Sequence, residues 1–239
     1  MLEVKDLCKE FGSFRAVKGV SFSVGAGEVL GFLGPNGAGK STTMRMITGF
    51  LPPTSGTAVI DGHDIVSDPL AAKAVLGYLP ESAPSYRAMT VRDYLSFVAE
   101  MRGLKDVRSA VASVIAKAKL EGVVGQTIET LSKGYRQRTA FAAAIVHDPK
   151  VLIMDEPTDG LDPNQKFTVR GMIREMAAAG KAIIISTHIL EEVDAVCSRA
   201  IVIADGEKRF DGTSAELKAR DPSGRLDVVF RALTTKEAK

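Results

Sequence analysis

Gly34-Pro35-Asn36-Gly37-Ala38-Gly39-Lys40-Ser41-Thr42 has the residue types and spacing of a loop that wraps a phosphate chain. Gly34, Gly37 and Gly39 allow the backbone to curl so that several N–H groups face one anion. Lys40 supplies a point charge for terminal phosphates, and the Ser41 hydroxyl is a ligand for Mg²⁺. The flanks agree with this chemistry. Val29, Leu30, Phe32 and Leu33 read as a buried strand, and Thr43 to Thr48 reads as a helix whose positive end faces the loop. A nucleoside triphosphate is the expected ligand.

A second chemical cluster lies far along the chain. Val151-Leu152-Ile153-Met154 is an apolar strand ending in Asp155-Glu156-Pro157. Parallel sheets place ligand groups at the carboxyl ends of their strands. Asp155 is therefore expected to hold Mg²⁺, and Glu156, one residue on, to polarise an attacking water as general base. His188 follows the apolar strand Ala182 to Ser186 and is a further candidate. His63, beside an Asp-Gly turn, and His147, at a helix end, read as structural.

The elements that must position these groups alternate between strand and helix, which predicts a mostly parallel core sheet covered on both faces. Alternating apolar positions over 2–8 and 16–24 predict antiparallel strands, with Phe11-Gly12 in the turn between them. Thr57 to Ile60 and Val75 to Leu79 read as strands, with Asp61-Gly62 as a hairpin turn. From about Pro80 helical spacing takes over. Thr90 caps one helix, Val107 to Ile115 marks a second, and Leu131-Ser132 begins a third that runs to about Val146. The expected organisation is one α/β unit: a nucleotide-binding core with an antiparallel β part (1–81 and 148–213), an inserted helical part (82–147) and a short extension (214–239). Within the extension, Leu226 to Phe230 reads as strand-like.

Composition limits the rest. Lys and Arg number 31 against 29 Asp and Glu, so binding nucleic acid through bulk charge is not expected. Cys8 and Cys197 fit no metal spacing and read as reduced packing residues of a cytoplasmic protein. The first residues, Met1 to Asp6, contain no apolar signal-peptide core, and no apolar run reaches the ~18–20 residues of a membrane helix. Work at a membrane would require another chain to span it.

Four further segments, in fixed order with the loop, carry a resemblance. Leu131-Ser132-Lys133-Gly134-Tyr135-Arg136-Gln137-Arg138 resembles the signature motif of ABC ATPases, Asp159-Gly160-Leu161-Asp162 their D-loop, and Ser186-Thr187-His188 their switch histidine. Phe11 lies where that family stacks an aromatic on adenine. The resemblance covers nearly the whole chain. It implies an ABC-type fold, hydrolysis of ATP with Mg²⁺, and a second copy or homologous ATPase subunit facing the first head to tail. In that arrangement Ser132, Lys133, Gly134, Tyr135 and Asp162 close the site of the opposite chain. It also implies a separate transmembrane permease subunit, met at the inner face of the cell membrane through the segment from Glu81 to Arg92, with Tyr86, Met89 and Val91 as candidate contacts. Phrases such as Gly77-Tyr78-Leu79-Pro80-Glu81 are similar to the ABC-2 exporter branch and its gliding-motility-type subunits. Two positions depart from the family: Lys133 and Tyr135 replace the usual residues of the signature, and Glu81 stands for the usual Mg²⁺-contacting Gln. A soluble ABC-type ATPase acting on ribosomes or DNA is the alternative. Its usual twin units or inserted coiled coil do not occur in the about 90 residues between Lys40 and Ser132.

Overall fold

The computed structural model describes residues 1–82 and 86–235. The chain opens with strands β1 (Leu2–Phe11) and β2 (Phe14–Val24), paired antiparallel with Phe11 opposite Phe14. The strands therefore run closer to the turn than expected, and Phe11 ends β1. Next come β3 (Val29–Leu33), buried at every residue, and α1 (Lys40–Ile47). The helix starts three residues before the expected Thr43, so Lys40 and Ser41 sit in its first turn. Strands β4 (Ser55–Ile60) and β5 (His63–Asp64) follow. Asp61 (φ 51°) and Gly62 (φ 90°) both occupy the left-handed region that a two-residue hairpin turn of this hand requires. Helix α2 (Pro69–Ala74) leads into β6 (Leu76–Leu79).

Three helices then run without an intervening strand: α3 (Val91–Met101), α4 (Val107–Lys117) and α5 (Lys133–Ile145). The Thr90 hydroxyl accepts the Asp93 N–H at 3.1 Å, and the Ser132 hydroxyl accepts the Tyr135 N–H at 3.4 Å, so both expected caps are in place. The remainder comprises β7 (Val151–Asp155), α6 (Pro163–Ala178), β8 (Ala182–Thr187), α7 (Leu190–Val196), β9 (Arg199–Ala204), β10 (Glu207–Gly212), α8 (Ser214–Lys218) and α9 (Leu226–Thr234).

Two sheets result. One is antiparallel in the order β2-β1-β4-β5; the other has the order β10-β9-β3-β8-β7-β6, parallel except for the β9–β10 hairpin. The period of two along the central strands divides the core. Leu152, Met154, Ile183 and Ile185 face the helices α3–α6, while Val151, Ile153, Ala182 and Ile184 face α1 and the antiparallel sheet.

Leu226 to Phe230 is helical, not strand-like. Leu226, Val229, Phe230 and Leu233 recur at helical spacing and pack with Val202, Phe210 and Leu217 beside β9 and β10. The β9–β10 turn also makes a clasp. Gly206 (φ 78°) donates its N–H to Ala38 O at 3.1 Å and accepts from Lys18 N–H at 2.8 Å, joining the glycine-rich loop to β2. A Cβ there would lie 2.6 Å from Ala16 O, so only glycine fits this close approach. Among the described residues, no helix is long and apolar enough to cross a membrane.

Candidate functional site

The loop from Gly34 to Gly39 leaves the carboxyl end of β3 and delivers the chain into α1. Gly34 must be glycine for packing, because a Cβ would lie 2.4 Å from Ile203 O. Gly39 combines φ 101° with a Cβ position 2.6 Å from Ala16 O. Gly39 makes no side-chain cap for α1, so no side chain competes for the first N–H groups of that helix. Lys40 folds its ammonium across the loop, donating to Gly34 O at 2.7 Å and Pro35 O at 3.3 Å. Burial lowers its pKa from the ordinary lysine range, against the raising influence of Glu156, Asp155 and Glu81.

An open cleft of about 410 Å³ lies over this loop, within the usual range for a small-molecule site. Its lining brings together Pro35, Asn36, Gly37, Gly39, Lys40, Ser41 and Thr42 with Phe11, Glu81, Glu156 and His188. These come from the ends of β1, β3, β6, β7 and β8. Gly34 and Ala38 are buried beneath it. Asp155 is buried at 3% exposure, and its carboxylate accepts from the Ser186 hydroxyl on the adjacent strand. Glu156 has φ 50°, a left-handed conformation that costs a non-glycine residue roughly 1–2 kcal/mol. The turn sets its Oε1 3.0 Å from His188 Nδ1. His63 pairs with Asp68 at 2.9 Å and His147 with Leu76 O at 3.0 Å; neither lines the cleft.

Two lining residues, Phe14 and Ala16, are not singled out from sequence, and a third, Asp159, is named there only within the D-loop resemblance and not as a residue of this cleft. Phe14 is 64% exposed and Phe11 50%, so both rings of the β1–β2 hairpin end face the cleft opening. The two-residue separation of the phenylalanines was the available signal. Asp159 belongs to the turn after β7, where its N–H donates to Glu156 O at 3.2 Å.

The signature residues are elsewhere. Ser132, Lys133, Gly134, Tyr135 and Asp162 do not line the cleft. Ser132 and Asp162 instead cap α5 and α6, and the two helix starts pack together: a Cβ on Gly134 would lie 2.2 Å from the Gln165 side chain. Tyr135 lies under the Arg138 guanidinium at 4.2 Å. Of the expected docking segment, residues 83–85 are outside the described residues. Tyr86 is exposed and meets Phe97 edge-on, Met89 is half-buried, and Val91 is completely buried. Val91 is therefore a core residue and not a surface contact: it opens α3 with its side chain in the cluster of helices.

The site fits its expected ligands. Backbone N–H groups, one lysine and exposed rings suit a nucleotide triphosphate. No group of three or more His, Cys, Asp or Glu among the described residues forms a preset metal cage. Mg²⁺ commonly takes one or two protein oxygens and completes its shell with phosphates and water; Ser41 and Glu81 line the cleft with such oxygens, whereas Asp155 is buried outside the lining.

Fold and site together define a phosphate-loop ATPase with a helical segment between strands β6 and β7. The family described as ABC transporter matches residues 17–159. The chain belongs to this family: it is an ABC ATPase that binds ATP, an ATP-binding subunit of the transporter type. It is 36% identical over 222 residues to the linearmycin resistance ATP-binding protein LnrL of Bacillus subtilis (strain 168), covering 92% of this chain and 71% of that one. It is 37% identical over 231 residues to the Nod factor export ATP-binding protein I of Paraburkholderia xenovorans (strain LB400), covering 96% and 76%. A solved ATP-binding subunit of an ABC transporter superimposes with a TM-score of 0.88 at 29% identity, covering 98% of this chain and all of the other.

Proposed function

We propose that the chain is the motor subunit of an ABC-2 type exporter, of the gliding-motility-like branch. Two copies close head to tail around ATP and thereby drive a separate transmembrane permease at the inner face of the membrane. The supporting observation is the division of the anion-binding groups. The cleft holds the loop from Gly34 to Thr42, whereas the capped start of α5 at Ser132 is outside its lining. One chain thus carries two halves of different sites, and a two-fold pair completes both.

Within that reading, Lys40 and the loop N–H groups bind the phosphates, and the ring of Phe11 stacks on the base. Ser41, Asp155 and Glu81 would hold Mg²⁺, which would supply positive charge against that developing on the phosphoryl group. Glu156 accepts the proton of the attacking water, and His188 orients the Glu156 carboxylate and contacts the terminal phosphate. Ser132 to Tyr135 and Asp162 of the facing copy close over that phosphate. The relatives named for resistance and export support the direction of transport. The exposed segment around Tyr86 and Met89 is the proposed meeting point with the permease. Size-exclusion chromatography with light scattering tests the central step: Glu156→Gln with ATP and Mg²⁺ is expected to run as a dimer, and with ADP as a monomer. A monomer under both conditions would exclude ATP-driven pairing.

A further inference from the structure

The charge of the cleft is unfavourable to its ligand in one respect. Among the described residues, its lining holds Glu81, Glu156 and Asp159 but only one ammonium, that of Lys40. Glu156 faces His188 at 3.0 Å. Asp159 faces a residue from outside the cleft: Lys133 Nζ lies 3.8 Å from its Oδ2. The approach depends on Gly160, which adopts φ 62° and whose absent Cβ would fall 1.9 Å from Lys133 Nζ. The lysine side chain therefore crosses directly over the turn that carries Asp159. That turn is tied to the cleft, since Asp159 N–H donates to Glu156 O at 3.2 Å.

We propose that Lys133 is a positioning residue for the nucleotide cleft of its own chain: its ammonium neutralises Asp159, which would otherwise repel the phosphates bound over Gly34 to Thr42. The lysine in the signature segment thus serves the near site through Asp159, in addition to whatever that segment does across a dimer. This rests on the chain binding ATP and is independent of dimerisation and of a permease. A like charge inside a cleft weakens binding of an anion, and a partner charge at the rim offsets it in a salt-dependent way.

A double-mutant cycle on the full chain tests the proposal by isothermal titration with ADP, with which the chain is expected to run as a monomer, so that the near site alone is read. Lys133→Ala is expected to weaken ADP binding about 2- to 5-fold at low salt, the scale of a half-exposed charge pair. Lys133→Arg should restore binding. Asp159→Asn should bind ADP as well as the parent or better. In the Asp159→Asn background, Lys133→Ala should have no further effect. An equal loss in both backgrounds would overturn the proposal, because Lys133 would then act on the nucleotide without Asp159. Failure of the unsubstituted chain to bind ATP or ADP would count against the nucleotide site itself.

Discussion

His188 Nδ1 and Glu156 Oε1 stand 3.0 Å apart, joining the ends of the adjacent parallel strands β8 and β7. The contact fixes one carboxylate oxygen of Glu156 while its backbone is held in a left-handed turn. Held from both sides, the carboxylate proposed as the base has little freedom to leave the water it would activate.

Glu156→Gln is expected to lower ATP turnover by ~10²–10⁴ while leaving ATP affinity within a few-fold of the parent. Because His188 is proposed to act partly through Glu156, adding His188→Ala should then cost much less than it does alone. Phosphate release by the single and double variants measures both effects, and independent, additive losses would separate the two residues.

Lys40 holds two loop carbonyls, at 2.7 Å and 3.3 Å. Lys40→Ala should therefore abolish measurable nucleotide binding in titration calorimetry, and it should also loosen the loop itself. Faster amide exchange at Gly37 and Gly39 is the accompanying signature. Binding at parental affinity would remove Lys40 from the phosphate site.

The exposed rings of Phe11 and Phe14 both line the cleft, where Phe11 is proposed to stack on the base. Each is worth ~0.5–1.5 kcal/mol, so Phe11→Ala is expected to weaken ATP roughly 2- to 10-fold. Phe14→Ala should do the same if both rings meet the base, and inorganic triphosphate should bind both variants like the parent. Competition titrations with triphosphate separate base from phosphate contributions.

His147 supplies a pH dependence of stability. Burial lowers its pKa to about 4, its Nε2 meets Leu76 O at 3.0 Å, and its Nδ1 is buried without a hydrogen-bond partner. Unfolding exposes it to water, where its pKa is about 6.5, so the unfolded chain binds the proton more readily. The stabilisation is complete above about pH 6.5 and is lost as pH falls toward about 4, up to ~2–3 kcal/mol in all. Urea unfolding across that range should show the fall, and His147→Gln should flatten it.

Much of the site was readable because its chemistry is local. Gly34 to Thr42 and Val151 to Glu156 each carry their strand, turn and ligand groups in one short run, so spacing alone locates them. Phe14 was not readable in this way, and Asp159 only as part of the D-loop resemblance, without its place at the cleft. Phe14 reaches the cleft only because β1 and β2 pair with Phe11 opposite it, a register that depends on bulges along the hairpin. The helix at Leu226 was misread because over five residues a strand run and one helical turn give the same apolar pattern. Leu233 resolves the ambiguity, since it extends the helical spacing onto the face that packs beside β9 and β10. The expected contact at Val91 rests on the resemblance, which places docking in the segment from Glu81 to Arg92 without telling which way each side chain faces. Here its side chain points into the cluster of helices, and its backbone N–H donates to Gln126 O at 3.1 Å.

The Gly206 clasp bears on the order in which the chain is made. Every residue proposed to touch the nucleotide lies at or before residue 188 and so emerges from the ribosome ahead of the turn between β9 and β10. The groups that brace the loop at Ala38 and Lys18 arrive only with the turn between β9 and β10. A nascent chain that has emerged to β8 thus carries the whole chemical site on an unbraced loop. Nucleotide capture during translation is expected to begin abruptly as the last hairpin emerges, and stalled chains released before and after residue 212 would reveal that step.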